Sequence, residues 1–200
     1  MNTTLDKTLC HQYPSLLRYG ISDNNRFYFE CGDGWFDIIH TTLSLVDKHS
    51  ILRENPVTIT QVKEKFGTLR IYCRDGDEFT NFVTGIAELI SGFICEACGN
   101  TGQIQTTTGW TQVRCNVHKT TSAENTNGAL QTSIKYRLIL ETTINLVLNF
   151  IYRNTQWAMN WLTEPLLALN HDKPYELLGT YDGCFAVKTT INRLEHGVFF

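Results

Sequence analysis

The chain has 200 residues, of which 42% are hydrophobic and 12% aromatic, so it can bury a sizeable core and does not have the composition of a disordered protein. Its formal net charge of −3 excludes an overall basic field for nucleic acid or an anionic membrane, so any such binding has to be local. The first residues lack a secretory signal and the most apolar run, residues 138–151, is too short to span a bilayer, so we expect a cytoplasmic protein without membrane contact.

The N-terminal part, residues 1–118, predicts an α+β module. Within residues 32–50, apolar side chains at positions 36, 39, 43 and 46 have the spacing of an amphipathic helix, for which Asp33 is the predicted cap. Residues 55–78 alternate apolar and polar side chains on both sides of Phe66-Gly67, which indicates a β-hairpin. A second helix follows and runs directly into the first cysteine pair; its apolar face comprises Phe79, Phe82, Val83, Ile86 and Ile90.

Three of the seven cysteines lie in the segment CEACGNTGQIQTTTGWTQVRCNVH, residues 95–118. It reads C-x2-C, sixteen residues, then C-x2-H, and each close pair can present two soft ligands to one point. Four protein ligands leave no open position for water, which indicates a structural metal and not a catalytic one. We therefore predict a structural zinc ion held by Cys95, Cys98, Cys115 and His118.

Two other interpretations of this segment stay open. The thiols could form a fortuitous buried cluster with a surface histidine, or the CxxC pair could be a redox dithiol, which leaves the second pair unexplained. The other cysteines are scattered, and we expect them to be small buried apolar residues: Cys10, Cys31, Cys73 and Cys184.

Basic and aromatic side chains alternate in the predicted hairpin, as they do on some nucleic-acid-binding surfaces. They are Lys63, Lys65, Phe66, Arg70, Tyr72 and Arg74. Lysine and arginine on a solvated strand face are ordinary, and four acidic neighbours dilute the field, namely Glu64, Asp75, Asp77 and Glu78. From the sequence, nucleic acid is therefore a possible partner that we do not favour.

This region also resembles an uncharacterised family of small bacterial and phage proteins. The resemblance covers residues 32–118 and rests on three motifs, GDGWFDII, QVKEKFGTLRIYC and the segment ICEACGNTG with RCNVH. It is consistent with the zinc site and with a boundary near residue 118, and it implies nothing about activity.

Residues 119–133 are rich in Thr, Ser, Asn and Gly and predict a linker. The composition then changes to an all-helical pattern over residues 134–200. The apolar run 138–151 predicts a core helix with a broad apolar face, to which Leu138 belongs. Its polar side chains form one stripe, which comprises Glu141, Asn145, Asn149 and Arg153. The alternative is a homodimer seam along the helix at 134–153, with asparagine at the axis.

Further helix signals follow this run. Asn154 is the predicted cap of the next helix and Pro165 its stop. Asp172 is the predicted cap of a short helix that starts at Pro174 and ends at Gly179. The last helix is predicted from about Asp182 to His196, with Gly197 as its C-terminal signal.

The last fifty residues, approximately, resemble the C-terminal toxin-binding domain of the Xre/MbcA/ParS antitoxins. The residues that carry this resemblance are Ala158, Trp161, Leu162, Pro165, Leu169, Pro174, Glu176, Leu177, Leu178, Thr180, Gly183, Val187, Leu194, His196, Gly197 and Val198. Two departures are Leu166, where the family usually has asparagine, and Asn170-His171-Asp172, which replaces a glycine-containing turn.

The resemblance implies an inhibitor of RES-domain toxins, which are enzymes that destroy NAD⁺, with the C-terminal tail entering or covering the toxin's active-site cleft. The partner-binding residues it implies are Trp161, Leu162, His196, Gly197, Val198, Phe199 and Phe200. The family's usual helix-turn-helix domain is missing here, so DNA binding and autorepression are not carried over.

The sequence offers no nucleophile with a base at meaningful spacing, no phosphate-binding glycine loop and no convergent carboxylate pair, so we do not expect an enzyme. Two hypotheses follow. The chain is either a toxin-neutralising protein or a zinc-ribbon adaptor that binds nucleic acid or another protein.

Overall fold

The computed structural model describes residues 1–18, 27–54, 56–107, 109–119, 130 and 132–197. They divide into two compact units, Met1–Thr132 and Ser133–Phe200. The predicted α+β class is confirmed, with the small sheets in the first unit and helices in the second. The domain limits at 118 and 134 stay a prediction, because most of the predicted linker lies outside the described residues.

The first unit contains four helices and five strands among its described residues. In chain order they are α1 (Thr3–Gln12), α2 (Pro14–Leu17), β1 (Phe29–Glu30), α3 (Phe36–Arg53), β2 (Thr58–Lys65), β3 (Thr68–Arg74), α4 (Glu78–Ser91), β4 (Gln103–Thr107) and β5 (Trp110–Arg114). Strands β1, β2 and β3 form one sheet in that order, with β1 parallel and β3 antiparallel to β2. Strands β4 and β5 form a separate antiparallel ribbon.

The core of the first unit is formed by α3, α4 and the inner face of the larger sheet. The apolar positions predicted for α3 are buried, and Leu69 on β3 is fully buried as well. The β2–β3 hairpin turns at Phe66-Gly67, as predicted. The face predicted for α4 is also buried except at Phe79, which is half-buried and stacks on His49 with ring centroids 4.1 Å apart.

The predicted cap of α3 is wrong. A 3-10 turn, Asp33–Trp35, precedes the helix, so α3 begins at Phe36 and no side chain caps it. The Asp33 carboxylate instead accepts hydrogen bonds from the backbone N–H and the side-chain amide of Asn2, each at 2.6 Å. At α4, by contrast, Asp77 is a true cap and accepts from the Thr80 N–H at 3.0 Å.

The second unit is helical. Its elements are α5 (Ile134–Phe150), α6 (Thr155–Thr163), α7 (Pro174–Leu177) and α8 (Tyr181–Glu195). Helix α5 packs on α8 through a core that includes Leu140, Val147, Val187 and Ile191. Leu138 is 61% exposed, because it lies on the opposite side of α5, so its predicted place in the core is wrong.

Two of the predicted boundaries in this unit are correct, and one cap is wrong. Asn154 caps α6 by accepting from the Trp157 N–H at 2.9 Å, and α6 ends at Thr163, before Pro165. Lys173, and not Asp172, occupies the position before α7, and no side chain caps that helix. None of the described helices is long and apolar enough to cross a membrane.

Candidate metal centre and toxin-binding domain

Two tight turns bring the four predicted metal ligands together. In the first, the Cys98 and Gly99 N–H groups both donate to the Cys95 carbonyl, at 3.3 and 2.9 Å, and Gly99 has φ +82°. In the second, the His118 N–H donates to the Cys115 carbonyl at 3.0 Å within a 3-10 turn. The β4–β5 ribbon joins the two turns and fixes their separation.

The ligand atoms have the spacing of a tetrahedral site. All four residues are buried, and one ligand atom from each lies within 4.8 Å of the others. The Cys98 and Cys115 sulfurs are 3.8 Å apart, and His118 Nδ1 is 3.6 Å from Cys95 Sγ and 3.2 Å from Cys115 Sγ. Zinc–sulfur bonds of about 2.3 Å in a tetrahedron place two sulfurs about 3.8 Å apart, so the donors fit zinc.

The surroundings of the sulfurs set how readily each thiol ionises. Burial raises the pKa of the Cys98 thiol to about 11, so this sulfur becomes a thiolate at neutral pH only when a positive charge is near. Burial also opposes ionisation of Cys115, but hydrogen bonds from His118 outweigh it and lower the pKa of this thiol to about 7. The Asn100 amide donates to Cys98 Sγ at 3.4 Å and supports the same ligand from outside.

A turn that contains Gly32 and Gly34, which we call the glycine turn, contacts the Cys95–Gly99 turn, which we call the first knuckle. The Gly34 N–H donates to the Glu96 carbonyl at 2.8 Å, and the Trp35 indole N–H donates to the Ile94 carbonyl at 3.0 Å. A Cβ on Gly34 would lie 2.1 Å from the Cys95 carbonyl oxygen, and one on Gly32 would lie 2.3 Å from that of Glu96. Only glycine permits so close an approach of the two backbones. The sequence analysis did not predict this contact, although the two glycines of the GDGW motif could have indicated it.

A buried ion pair lies beside the same knuckle. Glu96 Oε2 is 3.4 Å from Arg114 Nη1, and Glu96 Oε1 accepts from the Gly32 N–H at 3.0 Å. Burial raises the pKa of Glu96, and the Arg114 charge partly offsets that effect. Glu96 therefore connects the first knuckle both to β5, through Arg114, and to the glycine turn, through Gly32.

In the second unit, the turns around α7 depend on particular residues. Thr180 caps α8 by accepting from the Gly183 N–H at 3.1 Å, and a Cβ on Gly183 would lie 1.9 Å from the Leu177 carbonyl oxygen. Asn170 and His171 have φ of +56° and +67°. This turn therefore needs the left-handed conformation that glycine adopts freely, and here two non-glycine residues adopt it.

This arrangement of short helices and turns falls in the part of the chain that matches a known family. Residues 148–197 match the antitoxin Xre/MbcA/ParS C-terminal toxin-binding domain. The match supports an antitoxin-type role and a protein toxin as partner. No curated protein and no solved structure matches the chain.

The predicted partner-binding residues lie in different environments within the second unit. Trp161 is half-buried, with its ring against Phe150 at a centroid distance of 6.0 Å. Leu162 is fully buried and offers no surface to a partner, so it supports the domain from inside. His196 is exposed at the end of α8, and Gly197 follows with φ +69°. The remaining three, Val198, Phe199 and Phe200, lie outside the described residues.

Proposed function

We propose that this protein is an antitoxin-type inhibitor that binds and neutralises a RES-type, NAD⁺-degrading toxin. The single observation that carries the proposal is the match of residues 148–197 to an antitoxin toxin-binding domain. The RES class comes from the resemblance of this domain to antitoxins that neutralise such enzymes. The chain acts by covering the toxin's active site and needs no catalytic group of its own.

We propose that the C-terminal tail is the inhibitory element. Helix α8 ends at Glu195, and Gly197 has φ +69°, the left-handed conformation common just after a helix end. The residues that follow are Val198, Phe199 and Phe200. A phenylalanine side chain gains about 1.5–3 kcal/mol on full burial, so two of them are effective anchors in a cleft.

The experiment is an NAD⁺-consumption assay on a purified RES-domain toxin, with and without the full chain. We expect stoichiometric inhibition by the full chain, and we expect deletion of Val198–Phe200 to restore most of the NAD⁺ consumption. Phe199→Ala alone should show part of that loss. A matched control is Tyr152→Ala, which removes an aromatic side chain that is 91% exposed in the same domain.

Two results would contradict the proposal. A full chain that neither binds the toxin nor slows it would refute the RES assignment. A truncated chain that inhibits as well as the full chain would refute the role of the tail. A melting temperature lowered by about 5 °C or more on truncation would instead assign the phenylalanines to the protein's own core.

We also propose that the first unit holds one structural zinc ion through Cys95, Cys98, Cys115 and His118. The support is the burial of these residues and the tetrahedral spacing of their ligand atoms. Elemental analysis of protein purified without added metal should find about one zinc per chain. If Cys95→Ser and Cys115→Ser variants retain the same zinc content, this ligand set is wrong.

A further inference from the structure

Two large aromatic side chains are exposed at the tips of neighbouring hairpins in the first unit. Phe66, at the turn of β2–β3, is 76% exposed, and Trp110, at the start of β5, is 64% exposed. The two tips touch, because a Cβ on the turn residue Gly67 would lie 2.9 Å from Cγ2 of Thr111, the residue after Trp110. The two turns that carry these rings therefore lie side by side.

The conformation of Phe66 is unfavourable for a phenylalanine. Phe66 and Gly67 form a two-residue connection in which φ is +54° and +80°, as in a type I′ turn. Asparagine or aspartate is preferred at the first of these positions, and a bulky residue there is strained. Neither burial nor backbone geometry therefore accounts for a phenylalanine at this turn.

Ammonium groups lie over the exposed rings of the same hairpin. Lys65 Nζ is 5.4 Å from the Phe66 ring centroid, and Lys63 Nζ is 5.3 Å from that of Tyr72, which is 40% exposed. We call these five residues, Lys63, Lys65, Phe66, Tyr72 and Trp110, the hairpin-tip surface. It combines rings that can stack with cations that can contact an anion.

Basic residues outnumber acidic ones in the two segments that contain these hairpins. Residues 57–74 and 97–119 contain six Lys and Arg and one acidic residue, Glu64, whereas the rest of the chain has eight more acidic than basic residues. Arg70 and Arg114 pair with Glu88 and Glu96. Glu64 accepts a hydrogen bond from the Gly67 N–H at 2.6 Å, so this carboxylate is engaged within the turn.

Two of the acidic neighbours that argued against a basic surface have roles inside the first unit. Asp77 caps α4 and contacts His49, with Asp77 Oδ2 and His49 Nε2 2.6 Å apart, and Glu78 occupies the first turn of α4. On the neighbouring strand β1, Glu30 lies opposite Lys63 and partly offsets its charge, but basic residues still outnumber acidic ones within the two segments.

We propose that the hairpin-tip surface binds single-stranded nucleic acid. Rings that project from hairpin tips can stack on bases only where those bases are unpaired, and the lysines beside the rings can contact the phosphates of the same strand. This activity is separate from toxin neutralisation, since it uses the first unit and none of residues 148–197.

The test measures binding of the full chain to fluorescein-labelled 20-nucleotide oligonucleotides by fluorescence anisotropy at 50 mM salt. The probes are oligo-dT, oligo-U and a duplex of the same length. We expect the single strands to bind at least tenfold more tightly than the duplex, and the ratio of DNA to RNA affinity identifies the preferred sugar. Binding of neither single strand at 50 μM protein, or equal binding of the duplex, would overturn the proposal.

The decisive variant is Phe66→Asn, because asparagine suits the left-handed turn and the variant should melt at the same or a higher temperature. Stacking losses per ring correspond to a reduction in affinity of about 5- to 150-fold, and Trp110→Thr should show a similar loss. Tyr152→Asn is the control, since its ring is 91% exposed in the other unit. Unchanged affinity in both hairpin variants would refute the role of the rings.

The lysines have a separate readout. Each phosphate contact on a single strand contributes about −0.7 to the slope of log affinity against log salt. Replacing Lys63 and Lys65 together by glutamine should therefore reduce that slope by about 1.4. An unchanged slope would show that these lysines do not contact the phosphates of the bound strand.

Discussion

Replacing Gly34 by alanine tests whether the glycine turn sets the geometry of the metal centre. The new Cβ would lie 2.1 Å from the Cys95 carbonyl oxygen and 2.4 Å from the Gly99 nitrogen, whereas Cβ atoms in proteins essentially never approach closer than 3.0 Å. Both neighbours are backbone atoms of the first knuckle and cannot rotate away. The knuckle or the turn must therefore move by about 0.9 Å or more.

Such a shift is large for a metal site, in which ligand distances are held to within about 0.2 Å. We expect a loss of at least tenfold in zinc affinity. Overpacking costs about 1–3 kcal/mol, and the lost Gly34 N–H to Glu96 hydrogen bond adds about 1 kcal/mol. Together these should lower the melting temperature of the first unit by about 8–16 °C.

The assay is zinc competition against a chromophoric chelator, combined with thermal melting followed by circular dichroism. Gly92→Ala is the matched control, because a Cβ at Gly92 meets nothing closer than 3.4 Å and should change neither quantity. If Gly34→Ala binds zinc and melts like Gly92→Ala, the turn does not position the knuckle.

Two further predictions concern single side chains. Burial disfavours ionisation of Asp77, but hydrogen bonds from His49 and the Thr80 N–H outweigh it and lower the pKa of Asp77 to about 2. Its contribution is therefore present above about pH 4 and is lost as the pH falls through 2. Because the pair is partly exposed, we expect Asp77→Asn to remove no more than about 1 kcal/mol at pH 7 and only a small fraction of that at pH 2, measured by denaturant titration. In α5, Leu138→Gln should change the free energy of unfolding by less than about 0.5 kcal/mol, whereas Ile144→Ala should cost about 2–4 kcal/mol. A large loss for Leu138→Gln, with a change in oligomeric state by sedimentation, would instead favour a homodimer through the helix at 134–153.

The metal-ligand cluster and the hairpins could be predicted because their determinants are local in sequence. Cys95 and Cys98 share one turn, Cys115 and His118 share another, and the ribbon between them contains its own turn residues. The same holds for Asn154, whose side chain reaches an N–H only three residues away. Short-range geometry of this kind is encoded in spacing alone.

The contacts that position the centre could not be predicted, because they join distant parts of the chain. Gly34 and Trp35 meet the knuckle some sixty residues later, and the partner of Asp33 is Asn2. A carboxylate near a helix start predicts a cap only when no other donor competes for it. At Leu138 the periodicity was helical as expected, but α5 has apolar side chains on more than one side and only packing decides which are buried.

The two proposed activities use different parts of the chain, and removing the metal should separate them. Trp110 lies on β5, between the two ligand pairs, and Phe66 is held against that ribbon through Gly67 and Thr111. A structural zinc site contributes about 10–16 kcal/mol of apparent binding free energy, more than the whole stability of most domains, so its loss should unfold the ribbon. We therefore expect a chelator to abolish oligonucleotide binding by the full chain, while toxin neutralisation through the second unit and its C-terminal tail persists. Addition of zinc should restore the first activity and leave the second unchanged. If chelation abolishes toxin neutralisation as well, the toxin-binding domain depends on the metal-bound unit. If it abolishes neither activity, the zinc ion does not hold the hairpin-tip surface together.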